Sequence, residues 1–228
     1  GVQPMVDHKH AARALTVAGV DIYHPTQDEL TGAEISYGGD STRSLKADNY
    51  FVLETEAQGF PGWVPYDGQL RLQAFSHLAS GANMVEYWHW HSIHNAIESY
   101  WKGVLSHDLA PNRTYKECSV VGNEWKRIGS HLVNLKKKNR VAVIASNEAL
   151  TGLVEFPMQS KTADGYNTVL RWLCDALYMM NIEYDIISSH SDNFSDYDYL
   201  FVPALYSASE NELKALDEYA LNGGNLLV

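Results

Sequence analysis

Short apolar runs alternate with stretches of helical spacing along most of this chain. Residues 17–23 (VAGVDIY), 50–53 (YFVL) and 84–90 (MVEYWHW) read as strands that end in polar residues. Residues 70–78 carry apolar or small side chains at helical spacing with Gly81 as a stop, and residues 118–135 read as an amphipathic helix. Strand, loop and helix repeated in that order predict parallel strands joined by crossover helices. After Lys136-Lys137-Lys138-Asn139 the pattern restarts with a strand at 140–145 and a helix at 164–181, striped by Leu170, Leu173, Cys174 and Leu177. Strands at 183–187 and 199–202, a helix at 210–221 and a strand at 225–228 complete it.

The expected fold class is therefore α/β in two domains. Residues 1–138 read as part of a (β/α)8 barrel, because the polar residues gather at strand C-terminal ends: Asp21, Tyr23 and His24, then Glu54 and Glu56, then His89 and His91. Residues 139–228 read as a flavodoxin-like, doubly wound module. Neither GxGxxG nor GxxxxGK[ST] follows its first strand, so no cofactor is expected. The chain opens at Gly1 without an initiator Met or signal peptide and stops at Val228 inside a predicted strand. It is expected to be an interior piece of a longer protein.

Composition narrows the function. The 228 residues carry 17 basic and 28 acidic side chains, a formal net charge of −11, which argues against a nucleic-acid partner. No apolar stretch approaches the roughly 18 residues of a membrane span. Cys118 and Cys174 have no metal or disulfide spacing and read as buried thiols of a reducing, cytoplasmic compartment. The aromatic content changes the picture more: four of the six Trp fall between positions 63 and 101, among His and Glu. Indole faces beside polar groups suit a sugar, whose C–H faces stack while its hydroxyls need hydrogen-bond partners.

Glu54 is the first catalytic candidate, since it follows an apolar strand directly and a carboxylate at a barrel-strand exit can attack an anomeric carbon. Glu56, two residues on, is its competitor. In the alternating run MVEYWHWH, His89 and His91 are expected on one face and Trp88 and Trp90 on the other. His-x-His is a metal-ligand spacing, but no third and fourth ligands are legible, so the two are read as polyol hydrogen-bonders and no metal is expected. Glu98 and Trp101 follow in a loop, where Glu98 could bind vicinal hydroxyls.

These residues carry a resemblance. Asp21-Ile22-Tyr23, Tyr50-Phe51-Val52-Leu53-Glu54, Trp63, the run 68–92 (GQLRLQAFSHLASGANMVEYWHWHS), Glu98 and the run 104–108 (VLSHD) resemble glycoside hydrolase family 42, the β-galactosidases. The resemblance implies Glu54 as the nucleophile of a retaining mechanism, Trp63 packing on the galactosyl ring, Tyr23 beside the nucleophile and Glu98 holding sugar hydroxyls. It implies a galactoside or galacto-oligosaccharide substrate. It also implies that 139–228 is an amidotransferase-like trimerisation domain, hence a homotrimer. The chain departs from the family pattern at His91, at Trp101 and in one extra residue before Trp63, so Glu56 stays open as the alternative. The family's acid/base is a Glu preceded by Asn on an earlier barrel strand. The Asn-Glu pairs here, 123–124, 147–148 and 211–212, fall in a late helix and in the second domain. The acid/base is expected outside this chain, which alone should lack normal activity. Two alternatives are a non-catalytic carbohydrate-binding or interaction module and an α-L-arabinopyranosidase of the same family.

Overall fold

The computed structural model describes residues 6–59, 62–158 and 165–228. In chain order the elements are α1 (His8–Ala12), β1 (Gly19–Asp21), α2 (Ala33–Lys46), β2 (Tyr50–Glu56), α3 (Gln69–Ala79), β3 (Ala82–Trp88) and α4 (Arg113–Leu132). There follow β4 (Val141–Ala145), α5 (Asn147–Glu155), α6 (Gly165–Met179), β5 (Asp185–Ser188), β6 (Tyr199–Phe201), α7 (Glu210–Leu221) and β7 (Asn225–Leu227). The chain divides into two compact units. One comprises Val17–Arg43 and Asp48–Lys137; the other comprises Lys138–Val228 with the residues up to Thr16 and Ser44–Ala47.

In the first unit β1, β2 and β3 form a parallel sheet in that order, with α2 and α3 as crossovers. This is the repeated β/α pattern of a partial barrel. Ile35 of α2 packs with Ala18, Ile22, Tyr50, Val52 and Ala82. Gly39 lets that helix approach, because a Cβ there would lie 2.3 Å from the Tyr50 hydroxyl and 2.7 Å from Ser80 Cβ. Helix α2 has little helical signal in the sequence. Its Gly38-Gly39 pair is a poor helix former, and Ser41 and Thr42 donate back to the carbonyls of Tyr37 and Gly38 at 2.6 and 2.7 Å.

Helix α3 occupies the predicted stretch, but its buried face is not purely apolar: Gln69, Gln73 and His77 are buried with Leu70 and Ala74. Its outer side meets α4. There Phe75 packs edge-on to Trp125 with ring centroids 6.0 Å apart, and Arg71 lies over Phe75 while donating to Glu124 at 2.7 and 3.2 Å. Helix α4 begins at Arg113 rather than 118, because Asn112 caps it by accepting from the Tyr115 amide at 2.9 Å.

The second unit holds a four-stranded parallel sheet in the order β5-β4-β6-β7. Strand β4 is buried on both faces. Ala142 and Ile144 pack with Leu216 and Tyr219 of α7, and the intervening Val143 must face the other way. Helix α6 buries Tyr166, Leu170, Cys174 and Leu177, and the Tyr166 hydroxyl accepts from the Ser146 amide just past β4 at 2.6 Å. This is the doubly wound arrangement that the sequence pattern predicts. Helix α7 spans the predicted 210–221, locked by a capping box between Ser209 and Glu212. The predicted start of α6 at Asp164 lies outside the described residues. Helix α5, capped by Ser146, has no counterpart in the sequence reading. Among the described residues strand β7 pairs with β6, with Leu226 half-buried and Asn225 and Leu227 exposed.

Leu200 of β6 is fully buried. Leu200→Ala should cost about 2–5 kcal/mol of stability, as a cavity in a packed core does. Urea denaturation will read this as a lower midpoint at unchanged slope.

Candidate active site

Strand β2 was expected to end at Leu53, with Glu54 just outside; the strand instead continues through Glu56. Both neighbours lose register within it. Val20 and Asp21 of β1 face Val52 and Glu54, and Val85 and Tyr87 of β3 face Val52 and Thr55. An extra residue therefore sits at Leu53–Glu54, a bulge of the kind that re-aims side chains. Tyr50 and Val52 are fully buried, and regular alternation would send Glu54 to the same face. With the bulge, Glu54 is half-buried and its Oε2 accepts from the Tyr23 hydroxyl at 2.9 Å. Burial, then the bond to Glu54, raise the Tyr23 phenol well above its ordinary range, so it remains a donor. Burial and the Glu54 charge likewise push up Asp21.

Glu56 is 2 % exposed and sits in a polar network. Its Oε1 accepts from the His24 amide at 2.8 Å, and its Oε2 from the Thr55 hydroxyl at 3.1 Å. Burial raises its carboxyl above the usual range, against the opposing pull of His24 and these hydrogen bonds. The His24 ring lies with Nδ1 2.9 Å from the Pro25 carbonyl and Nε2 2.8 Å from the Gln73 amide nitrogen. That pattern fits the tautomer protonated at Nδ1. Behind it His77 is fully buried and held down to about 3 by burial and by His24. Gln69 closes the network, its Oε1 accepting from Thr26 at 2.8 Å. Sequence reasoning missed this layer, although Gln69, Gln73 and His77 fall four residues apart on one helical face.

Beside Glu56 opens a cavity of 1110 Å³, lined by Tyr23, Glu56, Trp63 and Trp101 together with the loop from His24 to Glu29. Trp63 is 72 % exposed and forms an open aromatic wall. Trp101 lies 6.3 Å from Tyr23, ring to ring. It also covers Gly59, where a Cβ would come within 2.2 Å of the indole. The structure thus brings Tyr23, Glu56, Trp63 and Trp101 to one cavity; Glu54 does not line it and is joined to its wall through the Tyr23 hydroxyl.

His89, His91 and Glu98 do not line that cavity. The expected sharing of a strand face by His89 and His91 is not found, because β3 ends at Trp88. Beyond it the main chain turns to a new partner: Val104 and Leu105 donate to the carbonyls of His89 and Trp90 at 2.7 and 2.9 Å. His89 Nδ1 is bound to the His91 carbonyl, and His91 Nδ1 lies 2.9 Å from the Ser92 carbonyl. Glu98 stands in the loop between these segments, its carbonyl accepting from the Trp101 amide at 3.0 Å.

The family model described as beta-galactosidase, glycoside hydrolase family 42, matches residues 2–128. This chain belongs to glycoside hydrolase family 42. The beta-galactosidase trimerisation domain model matches residues 139–228. The chain is 26% identical over its whole length to the β-galactosidase BgaP of Planococcus sp. (strain L4), covering 34% of that protein. To BgaH of Haloferax lucentense it is 30% identical over 90% of this chain and 30% of the relative. It therefore spans about a third of the length of the curated relatives it matches. Among solved structures, the β-galactosidase of Bacillus circulans sp. alkalophilus superposes with a TM-score of 0.86 at 23% identity, over 98% of this chain and 33% of that one. That of Halorubrum lacusprofundi does so with a TM-score of 0.81 at 22% identity, over 98% and 35%. At these identities the structural match establishes the fold. Among the described residues of this family 42 chain, no helix is long and apolar enough to cross a membrane.

The buried His77 of this family 42 barrel segment gives a pH test. An unfolded chain protonates it near 6.5, whereas the folded chain resists until about 3. On acidification between those values only the unfolded state gains the proton, so stability falls. His77→Gln should flatten this fall. Differential scanning calorimetry from about pH 7 to pH 4 will show a smaller loss of Tm in the variant than in the parent.

Proposed function

We propose that this chain carries the nucleophile half of a retaining β-galactosidase site, with Glu54 as the nucleophile. The observation that carries the reading is the 2.9 Å bond from the Tyr23 hydroxyl to Glu54 Oε2, at a strand end beside an aromatic cavity. Held by one oxygen, the carboxylate has the other for attack on the anomeric carbon, and the Tyr23 donor keeps it oriented. Glu56 fits the nucleophile role less well. Its buried carboxyl is raised toward the neutral form, and both its oxygens already accept hydrogen bonds. Trp63 and Trp101 offer apolar faces for a sugar ring, while His89, His91 and Glu98 are assigned to more distant hydroxyls.

A retaining glycosidase needs a second carboxyl about 5–5.5 Å from the nucleophile to protonate the leaving oxygen. We assign it to sequence beyond these residues. Of the Asn-Glu pairs, Glu124 is paired with Arg71, and Glu148 and Glu212 belong to the other unit. The related β-galactosidases and the match to their trimerisation domain support a galactoside substrate and a homotrimer for the intact protein. A closed ring of identical subunits would bury the same contact at each boundary.

Activity and assembly can both be tested on the full-length protein. Glu54→Gln should lower kcat on an aryl β-galactoside by about 10³-fold or more while preserving the circular dichroism spectrum, and Tyr23→Phe should lower it by roughly ten-fold. If Glu54→Gln stays active and Glu56→Gln does not, the nucleophile is Glu56. Light scattering should return three chain masses for the intact protein and one after removal of everything beyond Lys138; a monomeric parent would refute the assembly.

A further inference from the structure

Glu148, His190 and Glu212 stand apart from the aromatic cavity in sequence and belong to the second unit. Glu148 lies in the first turn of α5, directly after β4; His190 lies two residues beyond β5; Glu212 lies in the first turn of α7, which follows β6. Strand β4 runs between β5 and β6, so all three side chains come from the carboxyl edge of neighbouring strands. In open α/β sheets that edge is where ligands bind. One donor atom from each residue lies within 4.8 Å of the other two.

The charge balance of this cluster is incomplete. The His190 ring stands between the carboxylates, with Nε2 3.1 Å from Glu148 Oε1 and Nδ1 3.7 Å from Glu212 Oε1. Glu212 is 5 % exposed. Its Oε2 accepts from the Ser209 amide and hydroxyl at 2.7 and 2.8 Å, but its Oε1 is buried without a hydrogen-bond donor. The hydroxyl of neighbouring Ser189 is buried beside it and, against the effect of burial, helps hold the Glu212 carboxyl below its ordinary range without making a well-aligned hydrogen bond. Among the described residues neither carboxylate pairs with a lysine or arginine. A buried carboxylate oxygen without a donor is costly, and a cation is the group that would satisfy it.

We propose that Glu148, His190 and Glu212 bind one divalent transition-metal ion of the zinc class, with water completing the coordination. One imidazole and two carboxylates form a donor set that zinc accepts, leaving a fourth position open. Ligand bonds of about 2.0–2.2 Å place tetrahedral donor atoms roughly 3.4 Å apart, closer than the present spread. The side chains of Glu148 and His190 are about half exposed, and their mutual hydrogen bond would give way as one imidazole nitrogen turns to the ion. Glu212 is held by its capping box, so it forms the fixed ligand with Ser209 orienting it. The ion would cross-link the segments that follow β4, β5 and β6.

The test uses the full chain, stripped with EDTA and exchanged into chelator-free buffer. Calorimetric titration with zinc chloride should show one equivalent bound per chain, cobalt should give the visible absorption of a tetrahedral site, and zinc should raise the Tm. His190→Gln and Glu148→Gln, both on half-exposed side chains, should keep the parent's circular dichroism spectrum and weaken binding by more than about ten-fold. No stoichiometric binding by the parent would overturn the proposal. So would a His190→Gln variant that binds within about ten-fold of the parent, and His190 would then be a proton-charged link between two carboxylates.

Discussion

The extra residue at Leu53–Glu54 governs the candidate site, because it breaks the two-residue period of β2 at the point where its core face gives way to chemistry. Before it, Tyr50 and Val52 are fully buried under α2. An unbroken strand would carry Glu54 onto that apolar face, where an ionised carboxylate would have to be desolvated without a partner. With the bulge, Glu54 reaches the hydroxyl of Tyr23 instead, a residue that lines the aromatic cavity. Two parallel neighbours share the irregularity, so it is held from both sides.

Around this point the two carboxylates of β2 have opposite surroundings. Glu54 is half-exposed beside a phenol that donates to it. Glu56 is buried, raised toward its neutral form, and fixed by the backbone of His24. Gln73 and His77 on α3 back that arrangement from behind, with His77 neutral at any physiological pH. A polar layer of this kind costs stability wherever a group lacks its partner, and both ring nitrogens of His77 do. What it supplies is orientation: the loop from His24 to Gln27 that lines the cavity is pinned through Gln73 and Gln69.

The second unit follows a different constraint. Its sheet is buried on both faces at β4, so its strands read as continuous apolar runs and its polar residues collect in the loops at the carboxyl edge. Glu148, His190 and Glu212 meet there because three successive connections start at one edge, although they are far apart in sequence.

The amino-acid sequence determined the succession of strands along the chain, the parallel α/β class and the family motifs, because each is a local pattern of period, turn and cap. Helix α7 emerged with its limits intact because Ser209 and Glu212 write its start into adjacent residues. Helix α2 stayed hidden because its reason for being helical is not local: Gly38 and Gly39 are poor helix formers that serve the close approach to Ile22 and Tyr50. The sequence likewise named Tyr23, Glu56, Trp63 and Trp101, yet only the tertiary structure gathered them around one cavity, with Glu54 bound to Tyr23 behind the wall and His89, His91 and Glu98 away from it. Strand β3 ends early because the segment 103–105 captures the main chain of 89–92, a pairing across more than ten residues that no periodicity announces. Bulges, crossovers and buried polar partners depend on which strands become neighbours, and that is decided by packing rather than by any one stretch of chain.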